Sequence, residues 1–147
     1  MPEALGQTFR TRLAAAEQKL QAISESTAGE RYHQDSWTRK QVLGHLLDSA
    51  ANNHIRFVVA GIQGQFAGPK YDQEGWVRAH NYANLPWIFL LEQWRVRNAM
   101  LTQVVGYIPE DKLSAQCRIG DDAPVTLRFI IEDYLDHLDH HVADIAD

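Results

Sequence analysis

Cysteine is nearly missing from this chain. Cys117 is the only one in 147 residues, so no internal disulfide can form, and a reducing, cytoplasmic setting is expected. Long apolar runs are missing too. No stretch approaches the roughly 20 apolar residues that span a bilayer, so no membrane association is expected. The opening Met1-Pro2-Glu3 has an acidic residue and no apolar core, and is not expected to act as a secretion signal. Positive charge is in deficit, with 14 Lys and Arg against 19 Asp and Glu and a net charge of -5. That field repels polyphosphate and no basic stripe offsets it, which argues against nucleic acid as a partner. Internal repeats, low-complexity segments and Asn-Gly or Asp-Gly hairpin signals are absent as well, which leaves weak ground for strands.

What is present is bulk. Hydrophobic residues make up 45% of the chain, with four Trp, five Tyr and five Phe. This is enough to close one dry core, and residues 1–147 read as a single domain.

Between polar breaks at 24–36, 61–72 and 106–124, apolar residues recur at helical spacing. Leu5, Phe9, Leu13, Ala16, Leu20 and Ile23 form the stripe of a first helix, stopped by Ser24–Gly29. Thr38-Arg39-Lys40-Gln41 reads as a capping box that opens a second. Its stripe is Val42, His45, Leu46, Ser49, Asn53 and Phe57, and Gly61 and Gly64 are expected to break it. Pro86 suits the first turn of a third helix, whose face is Trp87, Leu90, Leu91, Trp94, Asn98, Leu101 and Val105. Thr126 caps a fourth, with Ile130, Tyr134, His137, Leu138, His141 and Ile145 inward. The fold class is all-α, a four-helix bundle. The long link between the second and third helices is expected to hold one helical turn at Tyr71–Val77.

Histidine occupies positions where leucine belongs. His137 and His141, four residues apart, project from one helical face between Tyr134, Leu138 and Ile145. His45 lies between Val42 and Leu46 on the second stripe. Imidazoles among aliphatics lose hydration and need partners for both ring nitrogens, and one divalent ion satisfies several at once. Three nitrogen ligands with a position left open describe a catalytic rather than a structural site. Such ligation suits Zn, Ni, Cu or Fe(II). His140 lies off the stripe beside Asp136 and Asp139 and reads as a solvated residue. The segment His137-Leu138-Asp139-His140-His141 has the histidine spacing of the H-E-x-x-H hydrolases, but Leu138 stands at the general-base position, so that mechanism is not supported.

Around these positions, Asp48 is the candidate acid or base, with surface pairing as its alternative. Asn53 and Asn98 on apolar faces either line a pocket or fix helix register. Arg56 is a candidate for bidentate binding of a substrate carboxylate, or for a surface salt bridge. Tyr71, Asp72 and Trp76 are candidates for the mouth of the pocket, or for anchoring a long connection.

Several segments resemble DinB-like proteins. Trp37 through Ala50, followed by Asn52-Asn53-His54 and Arg56-Phe57, resembles their second helix. Gly68-Pro69-Lys70-Tyr71-Asp72-Gln73 with Trp76 resembles the crossover of one branch. Thr126-Leu127 through Tyr134, His137, His140-His141 and Ile145 resembles the last helix. The resemblance implies an up-down-down-up bundle with a long crossover between helices two and three. It also implies a homodimer and a divalent metal, Zn or Ni ahead of Fe or Mn, held by His45, His137 and His141. Relatives include S-transferases using bacillithiol or mycothiol and a mycothiol-dependent maleylpyruvate isomerase, so a low-molecular-weight thiol is a candidate co-substrate. Val142-Ala143-Asp144 stands where Arg-Gly-Gln commonly follows the final His.

The function expected from these readings is a metal-dependent transferase-like or hydrolase-like activity on a small molecule. The alternative is a non-catalytic, stress-related bundle that binds metal or a small ligand.

Overall fold

The computed structural model describes residues 2–146, without the side chains of Pro2 and Glu3. Met1 and Asp147, the outer ends of the expected domain, and most of the Met1-Pro2-Glu3 reading lie outside the described residues.

Four long helices form the bundle: α1 (Pro2–Gln21), α3 (Arg39–Gln63), α5 (Trp87–Tyr107) and α6 (Leu127–Ile145). Two short ones, α2 (Glu25–Ala28) and α4 (Gln73–His80), sit in the connections. α1 packs on α5 and α6, and α3 packs on the same two. α3 and α5 run in the same direction, since Gly61 and Ile62 near the end of one border the same cleft as Val104 and Tyr107 near the end of the other. This is the down-down pair of the expected topology.

The apolar stripes become the core. Phe9, Leu20, Phe57, Leu90, Trp94, Leu101 and Leu138 are almost fully buried. Tyr134 stacks on Phe9 at 5.7 Å and meets Phe57 edge-on at 6.0 Å. Its hydroxyl donates to Asn98 Oδ1 at 2.5 Å, and Asn98 Nδ2 donates to the Trp94 carbonyl at 2.9 Å. Asn98 is therefore a buried cross-link between α5 and α6.

The caps fall where local chemistry places them. Thr38 and Gln41 form the full capping box, and Thr126 accepts from the Phe129 N–H. Four details differ from the expected plan. Ser24 caps the extra turn α2 instead of simply ending α1. Gly61 does not break α3, which runs to Gln63 and ends at Gly64, where φ is 79° and a side chain would be strained. Pro86 is the N-cap of α5, with an extended ψ of 141°, rather than a residue of its first turn. The crossover helix continues to His80, one turn beyond Val77.

A small sheet also joins the connections. β1 (Gln65–Gly68) pairs in parallel with β2 (Gln116–Ile119), which pairs antiparallel with β3 (Val125–Thr126). Strands of two to four residues carry too little alternation to register as a pattern.

Arg39, read only as part of the capping box, has a second role. It is buried, its Nε donates to the Ile145 carbonyl at 2.9 Å, and its Nη1 lies near the carbonyls of Thr27, Glu30 and Arg31. It ties the end of α6 to the start of α3. Arg39→Met should lower unfolding stability by about 2–4 kcal/mol, because charge-assisted bonds to buried carbonyls are lost. A change below 0.5 kcal/mol in urea titration would contradict that role.

Candidate metal centre

The long polar stripe of α3 runs His45, Ser49, Asn53, Arg56. The facing stripe of α6 runs Ile130, Asp133, Tyr134, His137, His141. Because α3 and α6 are antiparallel, the start of one lies against the end of the other, which brings His45 to His137 and His141. His137 Nε2 lies 3.2 Å from His45 Nε2 and 3.1 Å from His141 Nε2, and all three nitrogens fall within 4.8 Å of one another. The ring planes stand nearly perpendicular, at 76–80°.

This arrangement fits an ion better than it fits hydrogen bonds. A neutral imidazole nitrogen is either donor or acceptor, so His137 Nε2 cannot complete two unlike contacts at once. Two nitrogens on a tetrahedral zinc, each at 2.0–2.1 Å, stand about 3.3 Å apart, close to the two short separations. Turning Nε2 lone pairs inward leaves the proton on Nδ1. For His45 and His141, that buried Nδ1 has no partner among the described residues. Packing holds the rings instead, His45 against Trp37 at 5.3 Å and His141 beside His140 at 5.7 Å.

Burial keeps these imidazoles neutral. It lowers His45 and His141 to about 4, aided for both by the charge on His137, and it pulls His137 below the ordinary histidine value. In the unfolded chain each titrates near 6.5. Between pH 6.5 and 4 the unfolded chain therefore binds protons that the folded chain refuses, and stability falls as pH is lowered through that window. The urea midpoint of chelator-treated protein should be level above pH 7 and drop between pH 6.5 and 4. A flat profile across the window would show that the rings are not buried as neutral groups.

His137 opens onto a cavity of about 290 Å³ between α3, α6 and the sheet. Ser49, Asn53, Arg56 and Tyr71 line it, with Cys117, Phe129, Asp133 and Tyr134. Tyr71 lines it with Ser49; burial raises the Tyr71 pKa, and Ser49 opposes the rise. Of the expected pocket residues, Asn53, Arg56 and Tyr71 are thus brought to the cavity.

Asp72 and Trp76 are not among the residues that line it. The Asp72 carboxylate is exposed and caps α4 by accepting from the Gly75 N–H at 3.0 Å. Trp76 packs edge-on against Tyr71 at 5.4 Å, so it anchors the crossover.

Asp48 is also away from the cavity wall. It is 2% exposed, and its Oδ1 accepts the Tyr82 hydroxyl at 2.6 Å, while Oδ2 has no partner among the described residues. Burial raises its pKa and Tyr82 opposes the rise. Two other carboxylates border the cavity, Asp122 and Asp133, and the one on the helix of His137 is Asp133, which the sequence reading passed over. Its signal was its spacing, one turn ahead of His137 on the same face.

A four-helix bundle with a three-histidine cluster between its second and fourth long helices defines a recognisable class. The profile of the DinB superfamily matches residues 8–145, and the chain belongs to that superfamily. In sequence it is 32% identical over 63 residues to YfiT of Bacillus subtilis (strain 168), a stretch that covers 43% of this chain and 35% of YfiT. In structure it superposes on YfiT, described as a probable metal-dependent hydrolase with an unusual four-helix bundle topology. The TM-score is 0.85 with 22% identity, over 98% of this chain and 83% of that one. The mycothiol-dependent maleylpyruvate isomerase shares the fold at a TM-score of 0.81 and 15% identity. This chain spans 99% of its own length there and 60% of the isomerase. No helix among the described residues is long and apolar enough to cross a membrane.

Proposed function

We propose that this protein is a metal-dependent enzyme acting on a small molecule, with a divalent ion held by His45, His137 and His141. The observation that carries the reading is the convergence of three neutral Nε2 atoms beside a cavity of about 290 Å³. An ion on three imidazoles with a position open supplies Lewis acidity and lowers the pKa of a coordinated water or thiol toward neutrality. Hydrolysis and thiol transfer both use that chemistry; one relative is described as a probable metal-dependent hydrolase and another as a mycothiol-dependent isomerase.

The chain's own part is to hold the rings neutral, keep the cavity small and receive a proton. Two carboxylates border the cavity. Asp122 is engaged by Lys70 at 3.1 Å, which leaves Asp133 placed to take a proton from a nucleophile near His137. Asp48 is in this reading a positioning residue: it holds Tyr82 against Gly44, the neighbour of His45. The same reading makes residues 1–147 a single cytoplasmic domain working as a homodimer. Exposed apolar side chains on two helices that pack together support the pairing: Ile55 and Ile62 of α3 and Val96, Met100 and Tyr107 of α5.

Zinc- or nickel-loaded protein assayed against p-nitrophenyl acetate, and against 1-chloro-2,4-dinitrobenzene with cysteine, should turn over one of the two. Asp133→Asn should lower kcat by about 10²-fold or more without releasing the ion. A fully loaded protein silent in both assays would favour the non-catalytic alternative, a bundle that binds metal or a small ligand.

A further inference from the structure

Arg56 is the unexplained cation of the cavity. It is half-buried on α3, and its one hydrogen bond among the described residues is a long one, Nη1 to Asn53 Oδ1 at 3.4 Å. The Asn53 amide is itself fixed, because its Nδ2 donates to the Ser49 carbonyl at 2.9 Å. The side chains that act on Arg56 electrostatically are Tyr71 and Cys117, and burial raises the pKa of each, so both are neutral near pH 7. Asp122 is paired with Lys70, and Asp133 stands exposed on the α6 wall. A guanidinium stays charged under all ordinary conditions. Here it is drawn partly out of water with no carboxylate paired to it, a costly state unless something else supplies the anion.

We propose that Arg56, positioned by Asn53, is the subsite for the carboxylate of a small carboxylic acid whose other end lies toward the histidine cluster. The planar fork of arginine matches a carboxylate with two parallel N–H···O bonds. The cavity rim near it adds Ile130, Val125 and Phe129, which suit a short apolar body between the two ends. The Cα atoms of His45 and Arg56 are about 16 Å apart along the helix axis, and the Arg56 side chain leans back toward His45 because helical Cα–Cβ bonds tilt to the N-terminus. The inference rests on the metal reading only for which end of the ligand reacts; the place where the carboxylate is held does not depend on it.

The test is NMR titration of zinc-loaded and chelator-treated protein with benzoate, benzamide and phenyl phosphate, following the Arg56 Nε–H and the Asn53 side-chain amide. Benzoate should shift both saturably, and benzamide should bind at least tenfold more weakly. Arg56→Gln should weaken benzoate at least tenfold, and Arg56→Lys should recover part of the loss; thermal melts establish that both variants are folded. His45→Ala should keep benzoate binding, so failure of the metal reading would leave this result standing. Equal binding of benzamide, unchanged benzoate binding in Arg56→Gln, or phenyl phosphate binding as tightly as benzoate would each overturn the proposal.

Discussion

Alanine at His45, His137 or His141 is expected to strip the protein of its stoichiometric divalent ion. Each variant leaves two imidazoles. Losing even an outer partner of a ligand costs 10–100-fold in affinity, so losing a ligand should cost at least about 100-fold. His140→Ala is the control, because that ring is exposed and lies 3.6 Å from Asp144 outside the cluster. Elemental analysis of tag-free protein should find metal in the parent and in His140→Ala and little in the other three. Stability follows by linkage. An ion present at a thousandfold excess over its Kd adds about 4 kcal/mol to the folded state, roughly 8–16 °C in Tm for a chain of this size. That gain should vanish in the three ligand variants. Metal retained by all three would remove the site.

Gly44→Ala is expected to have the second largest effect. A Cβ at that position would collide with Tyr82 Cδ2 and Cγ, so the ring must move. The ring cannot move freely, since its hydroxyl is the partner of the buried Asp48 carboxylate at 2.6 Å and its face stacks on His80 at 4.8 Å. Overpacking of this kind costs about 1–3 kcal/mol, and leaving a buried carboxylate without its donor adds to it. A total of about 3–5 kcal/mol is expected, a fall of roughly 10 °C in Tm. Metal affinity should weaken as well, because His45 is the next residue. A Tm within 2 °C of the parent would show that the crossover packs more loosely against α3 than its close approach implies.

The helices were legible because each buries one continuous stripe, and a stripe repeats often enough to be seen. His45, His137 and His141 stood out for the same reason, as polar groups at apolar register positions whose grouping needed only the antiparallel pairing of two helices. Thr38 and Thr126 were legible because capping is local. Arg39 was not, since its partners at Thr27, Glu30 and Ile145 lie in other elements. The same holds for the sheet, whose β1–β2 pairing joins two distant loops. Asp48 and Asp133 show the limit of spacing as a guide. Both lie one helical turn or less from a cluster histidine, yet one is buried against Tyr82 and the other borders the cavity. Only the packing of the crossover over α3 separates them.

The most direct test of the central claim is X-ray absorption at the metal edge of the zinc-loaded protein, recorded beside His141→Ala. The scattering should show three imidazole nitrogens in the first shell of the parent, reduced in the variant. A shell of oxygen or sulfur donors without imidazole scattering, unchanged by the substitution, would contradict the account.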